Sequence, residues 1–251
     1  MDAVKIQLEK EGIIVDLMMI KDLAEDLQPK LRTLQKGFTK FKVQPKMLMN
    51  LSQNWDTLDD YLSSLKSKYR VRSNKALSLG RPIQRKTLSY DEIVFYRTDI
   101  HDLYKNISDQ ARFNAFLLDQ HYFENLKLAL KEDIQFTSYW VDGRMIAFYT
   151  SIVNGDTLNA HFLGYDHREN LKYHLYLNIL LDIIKEAISQ KMKVIDMSRT
   201  AIEIKSSVGA VPHDLYLYIK HSNTIINKSL ETLINIINPE TNYIIRNPFR
   251  F

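Results

Sequence analysis

Chemically capable side chains fall in two short stretches of this sequence. His161, Tyr165, His167 and Arg168 lie within eight residues, and Arg199 and Lys205 follow six positions apart. A neutral imidazole takes a proton near neutral pH and a phenol gives one, so His161 and Tyr165 have the types required for acid and base work. The planar fork of Arg199 suits a carboxylate or phosphate, and Lys205 is a compact cation able to neutralise a phosphate or a developing oxyanion. His167 and Arg168 would help to hold an anion, whereas Asp166 and Glu169 beside them would repel one. Plainer readings stand next to these. His161 fits a histidine satisfied inside a sheet, Glu169 fits a helix cap, and Arg199 and Lys205 fit a solvated turn with Glu203 pairing to Arg199 four positions away.

Composition narrows the options. The 251 residues are 45% hydrophobic and 25% charged, enough for a buried core. A net charge of +4 permits an anionic ligand without requiring one. There is no cysteine, which excludes disulfides, thiolate metal sites and cysteine nucleophiles. No His/Asp/Glu spacing resembles a metal site and no Gly-x-Ser-x-Gly occurs, so neither a metal-dependent nor a serine hydrolase is expected. No apolar run is long enough to span a membrane and no signal-peptide pattern opens the chain, so a cytoplasmic protein is expected.

The elements that must position these residues are legible from turns and periodicity. Asp142-Gly143 and Asn154-Gly155 between strand-like runs predict hairpins, giving antiparallel strands over 134–141, 144–153 and 157–164. An amphipathic helix over 169–190 follows, then a short strand over 194–197 and a last strand over 215–219. Upstream, the pattern predicts a strand over 13–20, a helix over 24–35 and a long helix from Trp55 to Ala76. Asp56 or Thr57 is placed to cap that long helix, and Ser89 with Glu92 is spaced as a capping box. Further helix is predicted within 113–130 and over 227–237, followed by an aromatic and basic tail.

With those residues laid out, the chain resembles a known group. The run Asp60-Tyr61-Leu62-Ser63-Ser64-Leu65-Lys66-Ser67-Lys68-Tyr69-Arg70 resembles the first helix of the second lobe in Fem-type peptidoglycan-bridge transferases. Phe162-Leu163-Gly164-Tyr165-Asp166, then Asn170 and Tyr173, then Arg199-Thr200-Ala201, Lys205 and Gly209-Ala210, is similar to BioF2-like acyltransferases. Both belong to the GNAT (N-acetyltransferase) superfamily, and the resemblance covers roughly 55–221.

The resemblance implies an α/β (α+β) fold: a twisted, mostly antiparallel mixed sheet flanked by helices, with one splayed parallel strand pair. It implies a remnant of a first GNAT-like lobe over 1–54, an acyltransferase domain over 55–221, and a C-terminal helix and tail over 222–251. The implied activity is N-acyl transfer from an acyl-thioester, acyl-CoA or acetyl-CoA, to an amine. Lys205, Tyr165 and His161 would be catalytic. Arg199, Gly164, His167, Arg168 and Asn170 would hold the donor, with its pyrophosphate at the helix start after Gly164. Tyr173, Arg70 and Arg72 would contact substrate. The loop Tyr165-Asp166-His167-Arg168-Glu169-Asn170 departs from the glycine-rich pattern of acetyl-CoA enzymes. That departure keeps open a Fem-like transferase taking its acyl group from aminoacyl-tRNA and acting on a cell-wall peptide, with Arg70 and Arg72 tracking phosphates. A GNAT-shaped binding module without catalysis is the third reading.

Overall fold

The computed structural model describes residues 2–24, 37–110, 117–237 and 243–250. Backbone contacts divide the chain into two units, residues 1–46 with 212–244, and residues 47–211 with 245–251.

The smaller unit contains helix α1 (Asp2–Lys10), strand β1 (Leu17–Ala24), the first part of β2 (Thr39–Asn50), most of β8 (Val211–His221) and α10 (Thr224–Ile237). β1 runs antiparallel to β8, from Leu17 opposite His221 to Ala24 opposite Leu215. Phe41, Ile219 and Leu230 form its small buried cluster, and Lys42 pairs with Asp214 at 2.6 Å. The strand expected over 13–20 thus starts four residues later. The helix expected over 24–35 lies, except for Ala24, outside the described residues.

The larger unit is built on hairpins. β4 (Ile134–Val141) turns through Asp142-Gly143 into β5 (Arg144–Asn154), with both turn residues at positive φ, 49° and 75°. β5 returns as β6 (Thr157–Tyr165); Asn154 is already paired with Thr157, so only Gly155 carries a positive φ. With β3 (Gln84–Thr87), β7 (Val194–Asp196) and the end of β2, the strand order is β2-β7-β6-β5-β4-β3. Every pairing in it is antiparallel except β6 with β7, which is parallel.

Alternating side chains send this sheet's two faces to different helices. Phe136 and Phe148 stack on one face with Leu103, Tyr104 and Phe123, under α4 (Tyr90–Phe95), α5 (Arg97–Ser108) and α6 (Tyr122–Leu130). On the other, Tyr149 and Ser151 donate to Glu186, and Tyr139 donates to Asp182. Both carboxylates belong to α8 (Leu175–Ser189), against which α2 (Leu58–Ser64) and α3 (Ser67–Leu79) pack. Burial raises the Glu186 pKa more than its three hydrogen bonds lower it.

Two expected helices are broken. The 169–190 segment is α7 (His167–Tyr173) and α8, separated by His174 in the left-handed region. Side chains take up the freed backbone groups: Asn170 Oδ1 accepts the Tyr176 N–H at 2.9 Å, and buried Asn178 donates to the Tyr173 and Ala76 carbonyls. The 55–76 segment is α2 and α3, with a capping box between Thr57 and Asp60 opening α2. At the break, Lys66 N–H donates to the Pro248 carbonyl at 2.8 Å, so the tail completes a turn that the sequence alone reads as continuous. The Ser89–Glu92 capping box forms as spaced. No helix among the described residues is long and apolar enough to cross a membrane.

Candidate active site

The parallel pair β6/β7 is hydrogen-bonded over three residues only, Thr157 with Val194 to Asn159 with Asp196. Beyond Asp196 the chain stays with β2, through Met197 N–H to Met47 O at 2.8 Å and Met47 N–H to Ser198 O at 2.9 Å. β6 meanwhile continues to Tyr165. A side chain crosses the opening, Ser198 Oγ donating to Ala160 O at 2.8 Å. Past that tie no ladder pairing of β6 with β7 occurs among the described residues, which is the splay that the resemblance implies.

The loop leaving β7 is strained and ends on a buried cation. Ser198, Thr200 and Ala201 all have positive φ (58°, 67° and 48°), conformations costly for residues with a side chain. α9 (Ile202–Ser207) follows, and Lys205 within it is 5% exposed. Its Nζ donates to the Arg199 carbonyl at 2.6 Å. Burial lowers the Lys205 pKa to about 8, against the opposing attraction of Asp196. Arg199 thus meets Lys205 through its backbone oxygen. Arg72 Nη1 lies 3.3 Å from Ser207 Oγ on the same short helix, which brings a basic residue of α3 to the Lys205 turn. Arg70, also on α3, is half-buried.

The end of β6 is arranged differently. Asp166 caps α7 by accepting the Arg168 N–H at 2.9 Å. Arg144, at the start of β5, binds Asp166 at 3.0 Å and Glu169 at 2.6 Å. Burial works against the Asp166 charge, but Arg144 and the Arg168 and Glu169 N–H groups outweigh it and hold this carboxyl below its usual range. The helix start expected to receive a pyrophosphate thus already faces two carboxylates of the chain itself. Gly164 is buried against α5, and a Cβ there would sit 2.5 Å from Leu103 C, so close helix packing accounts for this glycine. His167 Nε2 lies 2.8 Å from the Asn106 carbonyl, Arg168 is exposed, and Asn170 bridges the helix break. Tyr173 is buried at 7% exposure, with Lys172 over its ring. Tyr165 is half-buried between His167 and Tyr176, edge to face with both, and burial raises its pKa.

His161 sits at a bulge where β6 fits two residues against Thr150. Its Nδ1 is 3.2 Å from Thr150 Oγ1, and its Nε2 is 3.1 Å from the Tyr122 hydroxyl, whose ring stacks on it. Burial lowers its pKa to about 4, so the imidazole is neutral near pH 7. Tyr122 also lines a groove of 380 Å³ along α6 with Asp119, Asn125, Leu126 and Ala129. Sequence reasoning named His161 but passed over Tyr122, Thr150, Arg144 and Ser198. Only Arg144 left a signal: the Asp142-Gly143 turn fixes the start of β5, and the hairpin register then brings that start beside the end of β6.

A splayed parallel pair next to a crossover helix, with a lysine turn after the second strand, defines an acyltransferase fold. A family model described as an acetyltransferase (GNAT) domain matches residues 63–206, and the chain belongs to that family. A domain assigned to a lysylphosphatidylglycerol synthetase of Agrobacterium fabrum is similar over 97% of this chain and 80% of its own, at 11% identity and a TM-score of 0.59. FemX is similar over 93% and 78%, at 13% identity and 0.59. L-PGS from Bacillus licheniformis is similar over 96% and 78%, at 10% identity and 0.56. A comparison with curated protein sequences gives no match.

Proposed function

We propose that this chain transfers an acyl group from an activated carrier to an amine, with the acyl carbonyl in the wedge beyond Ala160 and Lys205 facing its oxygen. The amine nitrogen attacks the carbonyl carbon, the carbonyl oxygen gathers negative charge, and the bond to the carrier breaks as the amine loses a proton. A cation held in a water-poor turn stabilises that oxygen more strongly than one in solvent. The observation that carries the reading is a buried Lys205, oriented by the Arg199 carbonyl, directly after a parallel pair that stops pairing at Asp196. His161 stands at the bulge of β6 with the Tyr122 hydroxyl of α6 3.1 Å from its Nε2, and Tyr165 stands at the end of that strand.

Two donor classes suit this chemistry, acyl-CoA or acetyl-CoA, and an aminoacyl ester on tRNA. A CoA pyrophosphate fits poorly at the α7 start, where Asp166 and Glu169 already take up the Arg144 charge. Arg72 beside Ser207 offers phosphate-compatible charge at the lysine turn. These observations favour the aminoacyl ester. Binding separates the two. Titration with charged tRNA is expected to show salt-sensitive affinity that weakens in Arg70→Ala/Arg72→Ala, with no thermal shift from a series of acyl-CoA thioesters. A shift with a thioester, and no tRNA binding, returns the donor to CoA. Silence with both donors removes the transferase reading.

A further inference from the structure

The tail of the larger unit closes onto the turn that carries Lys205. Phe249 stands against Gly209, where a Cβ would lie 2.4 Å from its ring, and Gly209 has φ 110°. The ring completes an aromatic cluster with Trp55 and Tyr61, at centroid distances of 5.7 and 6.4 Å. Tyr61, fully buried, donates its hydroxyl to the Val208 carbonyl at 2.9 Å. Val208 and Ala210, on either side of Gly209, both donate their N–H groups to the Lys205 carbonyl. Earlier in the tail, Arg246 N–H donates to buried Ser206 Oγ at 3.0 Å, and its guanidinium reaches Glu203 at 3.5 Å. Both are neighbours of Lys205 on α9. The tail's far side is fixed to α2 and α3 through Lys66 N–H to Pro248 O and Arg250 N–H to Ser64 O.

We propose that residues Arg246 to Phe249 form a strap that positions Lys205, with Phe249 as the positioning residue and Gly209 as its seat. The strap touches the turn and not the reacting atoms. Its effect runs from the ring through Gly209 to the two N–H groups that hold the Lys205 carbonyl. It also shields the turn from water, and a dry environment favours the neutral amine. A bulky residue at 209 would push the ring out, which gives this position a reason to be glycine beyond its φ. The role in catalysis rests on the transfer reading above, whereas the positioning itself does not.

Competitive labelling of lysines with trace acetic anhydride between pH 6 and 11, read by peptide mass spectrometry, tests the strap without any enzymatic assay. In the intact chain Lys205 is expected to label with a midpoint near 8 and a low final extent. In Phe249→Ala and in Arg246→Ala the midpoint is expected to climb toward the ordinary 10.5 by about one pH unit or more. The final extent should also rise several-fold, while Phe249→Leu, which keeps an apolar fill, stays near the intact chain. Circular dichroism identifies which variants are folded. If Phe249→Ala does not fold, Arg246→Ala is judged by the same criterion. An unchanged midpoint and extent in the folded variants overturns the strap. Acyl-transfer assays run alongside report separately: no transfer by the intact chain sinks the enzymatic reading and leaves the labelling result standing.

Discussion

The two strands of the wedge end in opposite ways. At the end of β6 the charges are settled locally: Asp166 caps α7, and Arg144 binds both Asp166 and Glu169. At the end of β7 three residues are held at positive φ, and an almost fully buried ammonium group is held by one carbonyl. The first arrangement is what a stable helix start looks like. The second costs stability, since a buried lysine and left-handed non-glycine residues are each unfavourable. A fold keeps such costs where a function needs them. The contrast therefore directs the chemistry to Lys205 and leaves the β6 end as scaffold, although in the sequence His167, Arg168 and Asn170 look just as capable.

Altering each end separately tests the contrast. Gly164→Ala drives a methyl into the Leu103 backbone and is expected to cost about 2–4 kcal/mol by urea unfolding, the largest effect at the scaffold end. An unaffected midpoint would mean that α5 yields easily. Lys205→Met should act in the opposite direction. The folded-state pKa of Lys205 is lowered from 10.5 to about 8, so its contribution to stability is fully present above pH 10.5 and is lost as pH falls through 8. At pH 7 the charged, buried form is a burden, and Lys205→Met is expected to be more stable by about 1–3 kcal/mol, a gain that fades above pH 10. A variant less stable than the parent at pH 7 would show that Lys205 is structural.

Smaller effects belong to the acids. Asp166→Asn with Glu169→Gln frees Arg144 and is expected to improve CoA binding by calorimetry about tenfold, the equivalent of about 1.4 kcal/mol. No gain would mean that these carboxylates do not screen the helix start. Arg144→Ala is half-exposed and should cost only about 0.5–1 kcal/mol in thermal unfolding.

What the sequence made legible follows locality. The Asp142-Gly143 turn, the Ser89–Glu92 box and the strands of 134–165 are settled within a few residues and appear as read, while the second hairpin turns one residue later than expected, at Gly155-Asp156, with Asn154 still paired to Thr157. The broken helices were not legible because periodicity does not show side chains turned onto the backbone, as at His174, or a bond to a distant segment, as at Lys66. Asn178 meets the Ala76 carbonyl, and Lys66 meets Pro248, across more than a hundred residues of chain. Lys205 could be singled out from its family position, but its burial and its bond to Arg199 depend on a turn packed by Tyr61 and Phe249. Periodicity carries no record of such contacts.

The central claim meets its most direct test in single-turnover transfer at pH 8. The intact chain and Lys205→Met would each be given labelled acyl-CoA in one arm and labelled aminoacyl-tRNA in the other, with a panel of amines. The intact chain is expected to form an amide product, and Lys205→Met to form it at least about a hundredfold more slowly, the loss typical of removing one oxyanion-stabilising group. Equal rates in both proteins, or no product from either donor, would contradict the claim.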